Sequence, residues 1–387
     1  MASIVAAMGV LVVSLDSAIN IAFPAMSQAF EVGPGSIKWV VINYVLTYAL
    51  MSYVAGSLAD RVGTVPVFVA GLWLTAASVL ACGMASDYGW FLSFRVVQGM
   101  GGGLVYGTSP ALVTLGLSAE RRGRGIGLFT LGLGAGFAIG PLIGGLLVDG
   151  LGWRWVFVFR APLALALALG TVHALRGLPG GSVRWHLIGL GQALRPPVLL
   201  ANALAFLANL AQFSIWLLAP YFLVTVLGLS ATAGGLLFML TPLGMAVGGP
   251  LSGRATDRFG SRLVLPLGLA AESVGLFLMS RLGGQSAPGE VALALALVGL
   301  GLGVFQVPNM SLVMGSFPAY QQGGAGGMIF MIRTLGVVVG VNLAAAVFEA
   351  RSASLGAVDA FQSAFLAAAA VSMVGLLLSL LPPGRDR

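Results

Sequence analysis

Cysteine, histidine and charged side chains are scarce in this sequence of 387 residues, and each scarcity excludes a class of protein. The single cysteine, Cys82, excludes a disulfide framework, a thiolate zinc cluster and a redox pair. The two histidines, His173 and His186, lie far from acidic pairs at ligand spacing, so we expect no metal site and no cofactor. Charged residues make up 8% of the chain and hydrophobic residues 58%. Most of the chain must therefore face lipid or other helices.

Phosphate-binding loops are also missing. The sequence contains no Gly-Lys-Ser or Gly-Lys-Thr, which excludes ATP hydrolysis by this chain as an energy source. Its glycine-rich stretches 101–103 and 132–136 lie within apolar segments, which argues against dinucleotide binding. The net charge is +7, but the basic residues are spread among the loops, so we expect no nucleic-acid partner.

Hydrophobic segments long enough to cross a bilayer recur along the whole chain. Because a bilayer core is about 30 Å thick, each crossing needs about 20 apolar residues. Hydropathy, with glycine, proline and charges as boundaries, predicts an all-α polytopic membrane protein. The predicted helices are residues 3–25, 37–59, 64–84, 88–117, 123–148, 154–176, 198–226, 231–253, 262–282, 290–315, 323–349 and 358–381.

A more polar stretch divides these helices into two sets of six. It predicts an N-terminal bundle over 1–176, a cytoplasmic connection over 177–197 and a C-terminal bundle over 198–387. With the N-terminus inside, most loop arginines fall on the cytoplasmic side, as the positive-inside rule requires. The outer loops then hold only Lys38, Arg154, Arg281 and Arg351. We therefore expect an inner-membrane protein with both termini in the cytoplasm.

The two predicted bundles share a sequence repeat. The segment Gly56-Ser-Leu-Ala-Asp60-Arg61-Val-Gly63 recurs as Gly253-Arg-Ala-Thr-Asp257-Arg258-Phe-Gly260, in each case after the second helix of a half. Pro110 and Pro308, late in the fourth and tenth helices, fit the same alignment. Such a repeat predicts a pseudo-symmetric protein with its site near the bilayer midplane, between the halves.

Four segments of the N-terminal half resemble signatures of the major facilitator superfamily, and in particular of its drug:proton antiporters. Gly56 to Gly63 is similar to the loop signature between the second and third helices. LDSAINIAFP (15–24), RVVQGMGGG (95–103) and GLGAGFAIGPLIGG (132–145) resemble the first-helix, fourth-helix and fifth-helix signatures. Their order along the chain makes the resemblance more specific than one glycine-rich match.

The same comparison shows two departures from the family's pattern. The basic run that usually follows Gly63 is replaced by Thr64-Val65-Pro66, which predicts a weaker conformational latch. Arg160 stands in the sixth helix where the family usually has an asparagine shortly before proline. We expect this arginine to add a positive charge near the outer end of that helix.

The resemblance implies the major facilitator fold, with two pseudo-symmetric six-helix bundles around a central cavity. It also implies a monomeric transporter, not an enzyme, whose partners are a small-molecule substrate, protons and the lipid bilayer. The implied function is proton-coupled, drug-efflux-like export of apolar or amphipathic compounds by alternating access. The alternative is a proton symporter or uniporter for a specific metabolite, in which matched charged groups would be expected in the cavity. A membrane-embedded enzyme would need a catalytic constellation that the sequence lacks.

Two charged residues inside predicted helices are the candidates for proton coupling, Asp16 and Arg95. An acid inside a spanning helix is costly unless it pairs, protonates or lines water. We predict that Asp16 carries the coupling proton and that Arg95 is a nearby cation. The alternatives are structural: a helix-locking hydrogen bond for Asp16, and bonds to backbone carbonyls for Arg95.

Polar and aromatic side chains elsewhere are predicted to line the cavity, because amides have no reason to face lipid. The predicted substrate-binding residues are Asn20, Tyr44, Gln98, Tyr106, Asn209, Gln212, Trp216, Gln306, Asn309 and Arg333. Packing between helices is the alternative for the amides and aromatics. Glu272, inside the ninth helix, is either paired with an arginine such as Arg333 or a second proton carrier.

Small residues mark the segments predicted to serve conformational change. These are Gly56, Asp60, Arg61 and Gly63 of the loop, and Gly136, Gly140, Pro141, Gly144 and Gly145 of the fifth helix. We expect the fifth-helix residues to form a kinked face that packs closely on another helix.

Overall fold

A computed structural model describes residues 1–114, 122–175, 194–318 and 321–380. These residues form long helices, and no β-strand occurs among them. Most of the predicted connection, residues 177–193, lies outside the described residues. The described part of the chain confirms the all-α prediction.

The helices are numbered α1 to α12. In the N-terminal half they are α1 (Ala2–Ala29), α2 (Pro34–Val62), α3 (Thr64–Met84), α4 (Tyr88–Thr114), α5 (Arg122–Leu151) and α6 (Trp155–Ala174). In the C-terminal half they are α7 (Pro196–Val226), α8 (Ala231–Phe259), α9 (Ser261–Met279), α10 (Pro288–Gly315), α11 (Gln322–Leu355) and α12 (Ala357–Ser379).

All of these helices except α4 are long and apolar enough to cross a membrane. The length of α4, 27 residues, is ample for a crossing of a 30 Å core. Its glycines, together with Arg95 and Gln98, lower its mean hydropathy below that of its neighbours. The helix predicted from length is therefore present, although its apolar stretch is weaker than those of the other helices.

The described residues form two compact units, and both repeat the same helix pairings. One unit holds α1 to α6 except for residues 33–38, which include the first turn of α2, and the other holds α7 to α12 together with those residues. In the first, α1 packs on α4 and α5, and α3 packs on α4 and α6. In the second, α7 packs on α10 and α11, and α9 packs on α10 and α12. The internal sequence repeat therefore corresponds to a repeat of structure.

The glycines that end the repeated motif have matching conformations. Gly63, between α2 and α3, has φ 96° and ψ 150°. Gly260, between α8 and α9, has φ 80° and ψ 157°. This region of backbone space is essentially restricted to glycine, so the two turns require this residue.

Each unit has an apolar core of its own. Phe68, Val105 and Ala168 are fully buried in the core formed by α1, α3, α4 and α6. Leu269 and Phe305 are fully buried in the equivalent core of the second unit, with residues of α7. Both cores fix the spacing of the helices that carry the buried polar side chains.

A short 3-10 turn, Leu15–Ala18, interrupts α1 between the α-helical segments Ala2–Ser14 and Ile19–Ala29. A 3-10 stretch inside a helix often marks a hinge or a sequence under strain. The turn carries Asp16, and all four of its residues are buried.

The small residues of α5 lie against this part of α1. A Cβ atom at Gly136 would lie 2.5 Å from Ser14 Cβ, and one at Gly140 would lie 3.0 Å from the Ala18 nitrogen. Pro141 lacks an N–H, so it cannot donate the usual helical hydrogen bond to the Phe137 carbonyl four residues earlier. Ser17 Oγ of the 3-10 turn donates a hydrogen bond to that carbonyl at 3.3 Å and to the Gly136 carbonyl at 3.2 Å.

Candidate functional site

Asp16 is the centre of a buried polar cluster in the first unit. Arg95 of α4 pairs with it through both terminal nitrogens, with Nη1 2.9 Å from Oδ1 and Nη2 3.1 Å from Oδ2. Gln98, one turn further along α4, donates from Nε2 to Oδ1 at 2.8 Å. The two parallel bonds from a planar guanidinium make this a directional as well as an electrostatic contact.

Arg95 is itself held by three further contacts. Its Nε donates to the Val40 carbonyl at 3.1 Å, and its Nη1 donates to Gln98 Oε1 at 2.7 Å. Its guanidinium lies over the ring of Tyr44, 4.3 Å from the centroid. The side chain is 1% exposed. Arg95 therefore has both the carboxylate contact of the proton-coupling hypothesis and the backbone-carbonyl contact of the structural alternative.

A second arginine, Arg160 of α6, reaches the same carboxylate. Its Nη1 lies 2.8 Å from Asp16 Oδ1, and the residue is fully buried. The expected charge lies in the second turn of α6, and the contact with Asp16 is an addition to that expectation. Sequence reasoning missed this contact because it depends on the packing of α6 beside α1. The replaced family asparagine was the signal that marked the position.

The nitrogens of Arg160 differ from those of Arg95 in their partners. Apart from the ion pair of Nη1 with Asp16, its side-chain nitrogens have no partner among the described residues. One carboxylate and two guanidiniums leave the cluster with a net charge of +1, in a region where an uncompensated ion is costly.

Tyrosines extend the cluster along α2 and α4. The ring centroids of Tyr44 and Tyr48 are 5.5 Å apart, as are those of Tyr48 and Tyr106. The Tyr106 hydroxyl lies 2.8 Å from Ser14 Oγ on α1, within hydrogen-bonding distance. The first unit therefore brings Asp16 and Arg95 together with Tyr44, Gln98 and Tyr106, as an aromatic and ionic group.

Asn20 lies one turn beyond Asp16 on α1, but its amide bonds within its own helix. Its Nδ2 donates to the Ser17 carbonyl at 2.9 Å. Asn20, Tyr44 and Asp16 are 7%, 7% and 8% exposed, whereas Arg160 is 0% exposed. Tyr48 and Tyr106 are more exposed than these side chains, so the tyrosines form the accessible edge of the cluster.

The predicted residues of α7 are buried in the second unit. Asn209 Nδ2 donates to the Ala205 carbonyl at 2.8 Å, which is a bond within the helix. Gln212 Nε2 lies 3.5 Å from Met245 Sδ on α8, and its carbonyl oxygen has no hydrogen-bond partner among the described residues. Trp216 stacks on Phe213 with ring centroids 5.8 Å apart, so its observed contacts include aromatic packing.

The remaining predicted residues of this unit are not joined by hydrogen bonds to one another in the described structure. Asn309 of α10 is fully buried, and neither polar atom of its amide has a partner among the described residues. Arg333 of α11 has buried Nε and Nη2 atoms that also lack such partners. Gln306, one turn before Asn309, is partly exposed. These groups have unused hydrogen-bonding capacity.

Glu272 is fully buried in α9 and has no cationic partner in the part of the chain that the structure describes. Its Oε2 accepts a hydrogen bond from Ser372 Oγ of α12 at 3.2 Å, and Ser372 accepts one from Ser273 at 2.9 Å. The suggested pairing with Arg333 does not occur, since α9 packs on α8, α10 and α12, whereas Arg333 is on α11. The ion pairs of Asp16 are with Arg95 and Arg160.

The predicted loop motif has a buried glycine and an exposed charged pair. Gly56 is buried, whereas Asp60 and Arg61 are exposed at the end of α2 and form no ion pair with the described residues. Gly63 makes the tight turn into α3.

Comparison with known proteins adds an independent line of observation. The Major Facilitator Superfamily profile matches residues 5–207 and 201–387. The riboflavin transporter RibZ of Clostridioides difficile is 25% identical over 97% of this chain and 96% of its own. The tetracenomycin C resistance and export protein of Streptomyces glaucescens is 30% identical over 83% of this chain and 71% of its own.

Solved structures show the same fold at lower identity. A bacterial homologue of the human lysosomal transporter Spinster, in an inward-facing conformation, has a TM-score of 0.80 at 17% identity. That match covers 98% of this chain and 95% of the other. The nucleoside transporter NupG, in a mutant form, has a TM-score of 0.75 at 14% identity over 97% of this chain and 98% of its own.

Proposed function

Because this chain belongs to the major facilitator superfamily, whose members are membrane transporters and not enzymes, we propose that it is a proton-coupled exporter. It is a multi-pass membrane protein that moves small molecules. The proposed cargo is a small apolar or amphipathic compound, and the proposed cycle is antiport with protons by alternating access. The proposed location is the inner membrane, with both termini in the cytoplasm and one chain as the working unit.

The observation that carries this proposal is the position of Asp16 in the 3-10 turn of α1. Arg95 from α4 and Arg160 from α6 both contact its carboxylate, at 2.9 Å and 2.8 Å. A proton on this carboxyl group would remove its charge and with it both ion pairs. Proton binding would therefore change the contacts among three helices, and a ligand shifts a conformational equilibrium only through such differential contacts.

The aromatic edge of the cluster supports an amphipathic cargo. The rings of Tyr44, Tyr48 and Tyr106 lie in a row next to the ionic group. Ligand sites that combine aromatic side chains with a few polar groups bind compounds with both characters. The relative that exports tetracenomycin C favours efflux of such compounds.

A specific metabolite is the second candidate cargo, moved by proton symport or by uniport. The observation that favours it is the group of charges at Asp16, Arg95 and Arg160, which is more typical of a selective site than of a purely apolar one. The riboflavin transporter among the relatives is consistent with this candidate.

Transport in proteoliposomes over a panel of compounds tests the proposal. We expect an imposed pH gradient to drive at least one amphipathic compound out of the compartment that corresponds to the cytoplasm. A protonophore should abolish the accumulation of the compound in the other compartment, because it removes the pH gradient. Accumulation that persists with the protonophore, or movement of the compound in the same direction as the protons, would contradict antiport.

A further inference from the structure

Arg160 is a buried cation with unused hydrogen-bond donors. It is 0% exposed, its Nη1 is engaged by the Asp16 carboxylate, and its Nε and Nη2 make no hydrogen bond to a described residue. Buried polar groups are almost always hydrogen-bonded, and an unpaired buried donor carries a desolvation cost. The side chain is therefore suited to receive an acceptor atom from a ligand.

The net charge of the cluster indicates which charge a ligand group bound there should have. Asp16 is the one carboxylate, and it already receives two hydrogen bonds from Arg95 and one from Gln98. Arg160 adds a second positive charge at 2.8 Å from the same carboxylate. An organic cation at this edge would meet two guanidiniums and a carboxylate whose charge is already compensated.

From this geometry we propose that Arg160 makes the Asp16 site selective against organic cations and for neutral or anionic compounds that present a carbonyl or carboxylate oxygen. The proposal rests on the proposed function, since it assumes that the cargo binds at this cluster. The oxygen would accept hydrogen bonds from Arg160, and the aromatic part of the compound would lie along Tyr44 and Tyr48. Arg160 is in this sense a specificity-determining residue.

The size of the effect follows from the added charge. A unit charge about 7 Å from a bound ion, at an effective dielectric constant of about 20, changes its affinity roughly 50-fold. Replacing Arg160 with asparagine should therefore improve the binding of a cation by roughly that factor. It should weaken the binding of the matching anion by at least that factor, because the oxygen of the anion would lie in hydrogen-bond contact with Arg160.

Three probes with one ring system isolate the head group. They are 2-naphthoate, neutral 2-naphthamide and 2-naphthylmethylammonium, and their binding to the purified full chain is measured by equilibrium titration. We expect naphthoate and naphthamide to bind and the ammonium compound to bind at least about ten-fold more weakly. Equal or preferred binding of the ammonium compound overturns the proposal, as does failure of all three probes to bind.

Two variants and one control assign the effect to Arg160. Arg160→Asn should reverse the preference between ammonium and carboxylate, whereas Arg160→Lys keeps the charge and should keep the exclusion of the ammonium compound. The control is Arg154→Gln, which removes a positive charge from an exposed arginine six residues earlier in the sequence. Arg154 donates to the Ala85 carbonyl at 3.2 Å, and its replacement should leave the preference unchanged. An unchanged preference in Arg160→Asn overturns the proposal. If that variant does not fold, the Arg160→Lys titration and the wild-type preference still decide it.

The same probes separate this inference from the proposed function. If the pH gradient drives transport of a compound but cations are carried as well as anions, the inference fails and the proposed function stands. If naphthoate binds with the expected preference but no compound responds to the pH gradient, the proposed function fails and the assignment of Arg160 to binding stands.

Discussion

Replacing Gly144 with alanine adds one methyl group where α5 packs against the end of the 3-10 turn of α1. A Cβ atom there would collide with the Ala18 carbonyl oxygen and lie 2.9 Å from Ile21 Cγ2 and 3.0 Å from the Ala18 carbonyl carbon. The obstacle is mostly backbone, so no side chain can turn away to make room. The two helices would have to separate by about 1 Å to reach the roughly 3.5–4.0 Å optimum of a carbon contact.

Overpacking of this kind costs about 1–3 kcal/mol for each added methyl group. Alanine also gains about 1 kcal/mol over glycine from helix propensity, so a matched control is needed. Gly134 of the same helix provides it, because a Cβ atom there meets nothing within 4 Å. We expect Gly144→Ala to lower the free energy of unfolding by about 1–3 kcal/mol relative to Gly134→Ala, measured by thermal unfolding in detergent.

The transport rate should also fall when the packing of α5 on α1 is disturbed, because α1 carries Asp16 and must keep its position against α5. Gly144→Leu should insert into the membrane at normal levels and lose transport in proteoliposomes. The transport rate of Gly144→Ala should lie between those of Gly144→Leu and the wild type. If Gly144→Leu transports at the wild-type rate, or if Gly144→Ala and Gly134→Ala are equally stable, close packing of α5 on this part of α1 is not required.

Three further outcomes are expected from local features. Ser17→Ala removes the hydroxyl that donates to the Gly136 and Phe137 carbonyls, and should lower the free energy of unfolding by about 1 kcal/mol in thermal unfolding; an unchanged midpoint would contradict the assigned bond. Gly260→Ala puts a side chain at a position with φ 80° and should lower the free energy of unfolding by about 1–3 kcal/mol, whereas Gly253→Ala, inside α8, should not. Equal unfolding midpoints for the two variants would refute the requirement for glycine at position 260. In a Cys82→Ser background, Ser182→Cys should react with an impermeant thiol reagent only after the cells are permeabilised, and labelling of intact cells would refute the cytoplasmic connection.

Hydropathy was sufficient for the architecture because each crossing imposes the same requirement on length and composition. The repeat of Gly63 as Gly260 also has a physical origin visible in the sequence, since both turns need a backbone conformation that glycine alone adopts readily. The polarity of α4 was visible in the same way, through Arg95 and Gln98.

Contacts between helices were harder to foresee than the helices themselves. Arg160 reaches Asp16 because α6 packs beside α1, and no residue pattern along the chain indicates which helices become neighbours. Glu272 does not pair with Arg333 because α9 and α11 are not packed on each other, which depends on the arrangement of whole helices. The 3-10 turn at Asp16 was equally invisible, since the apolar run continues through it.

The roles of the candidate residues stay predictions, because positions alone do not show what binds. Asn209 bonds within its own helix, and Trp216 stacks on Phe213, so each also fits the packing alternative. Asn309 and Arg333 have polar atoms without partners among the described residues, which leaves them as the stronger candidates for ligand contact in the second unit.

Transport by Asp16→Asn tests the central claim most directly. Asparagine keeps the size and much of the hydrogen bonding of Asp16 but cannot titrate, and Asp359→Asn, at an exposed position near the start of α12, serves as the control. In proteoliposomes, Asp16→Asn should still exchange substrate in counterflow, but it should no longer concentrate substrate in response to an imposed pH gradient. The control should do both. If Asp16→Asn still concentrates substrate when the pH gradient is imposed, Asp16 is structural, and Glu272 is the next residue to test.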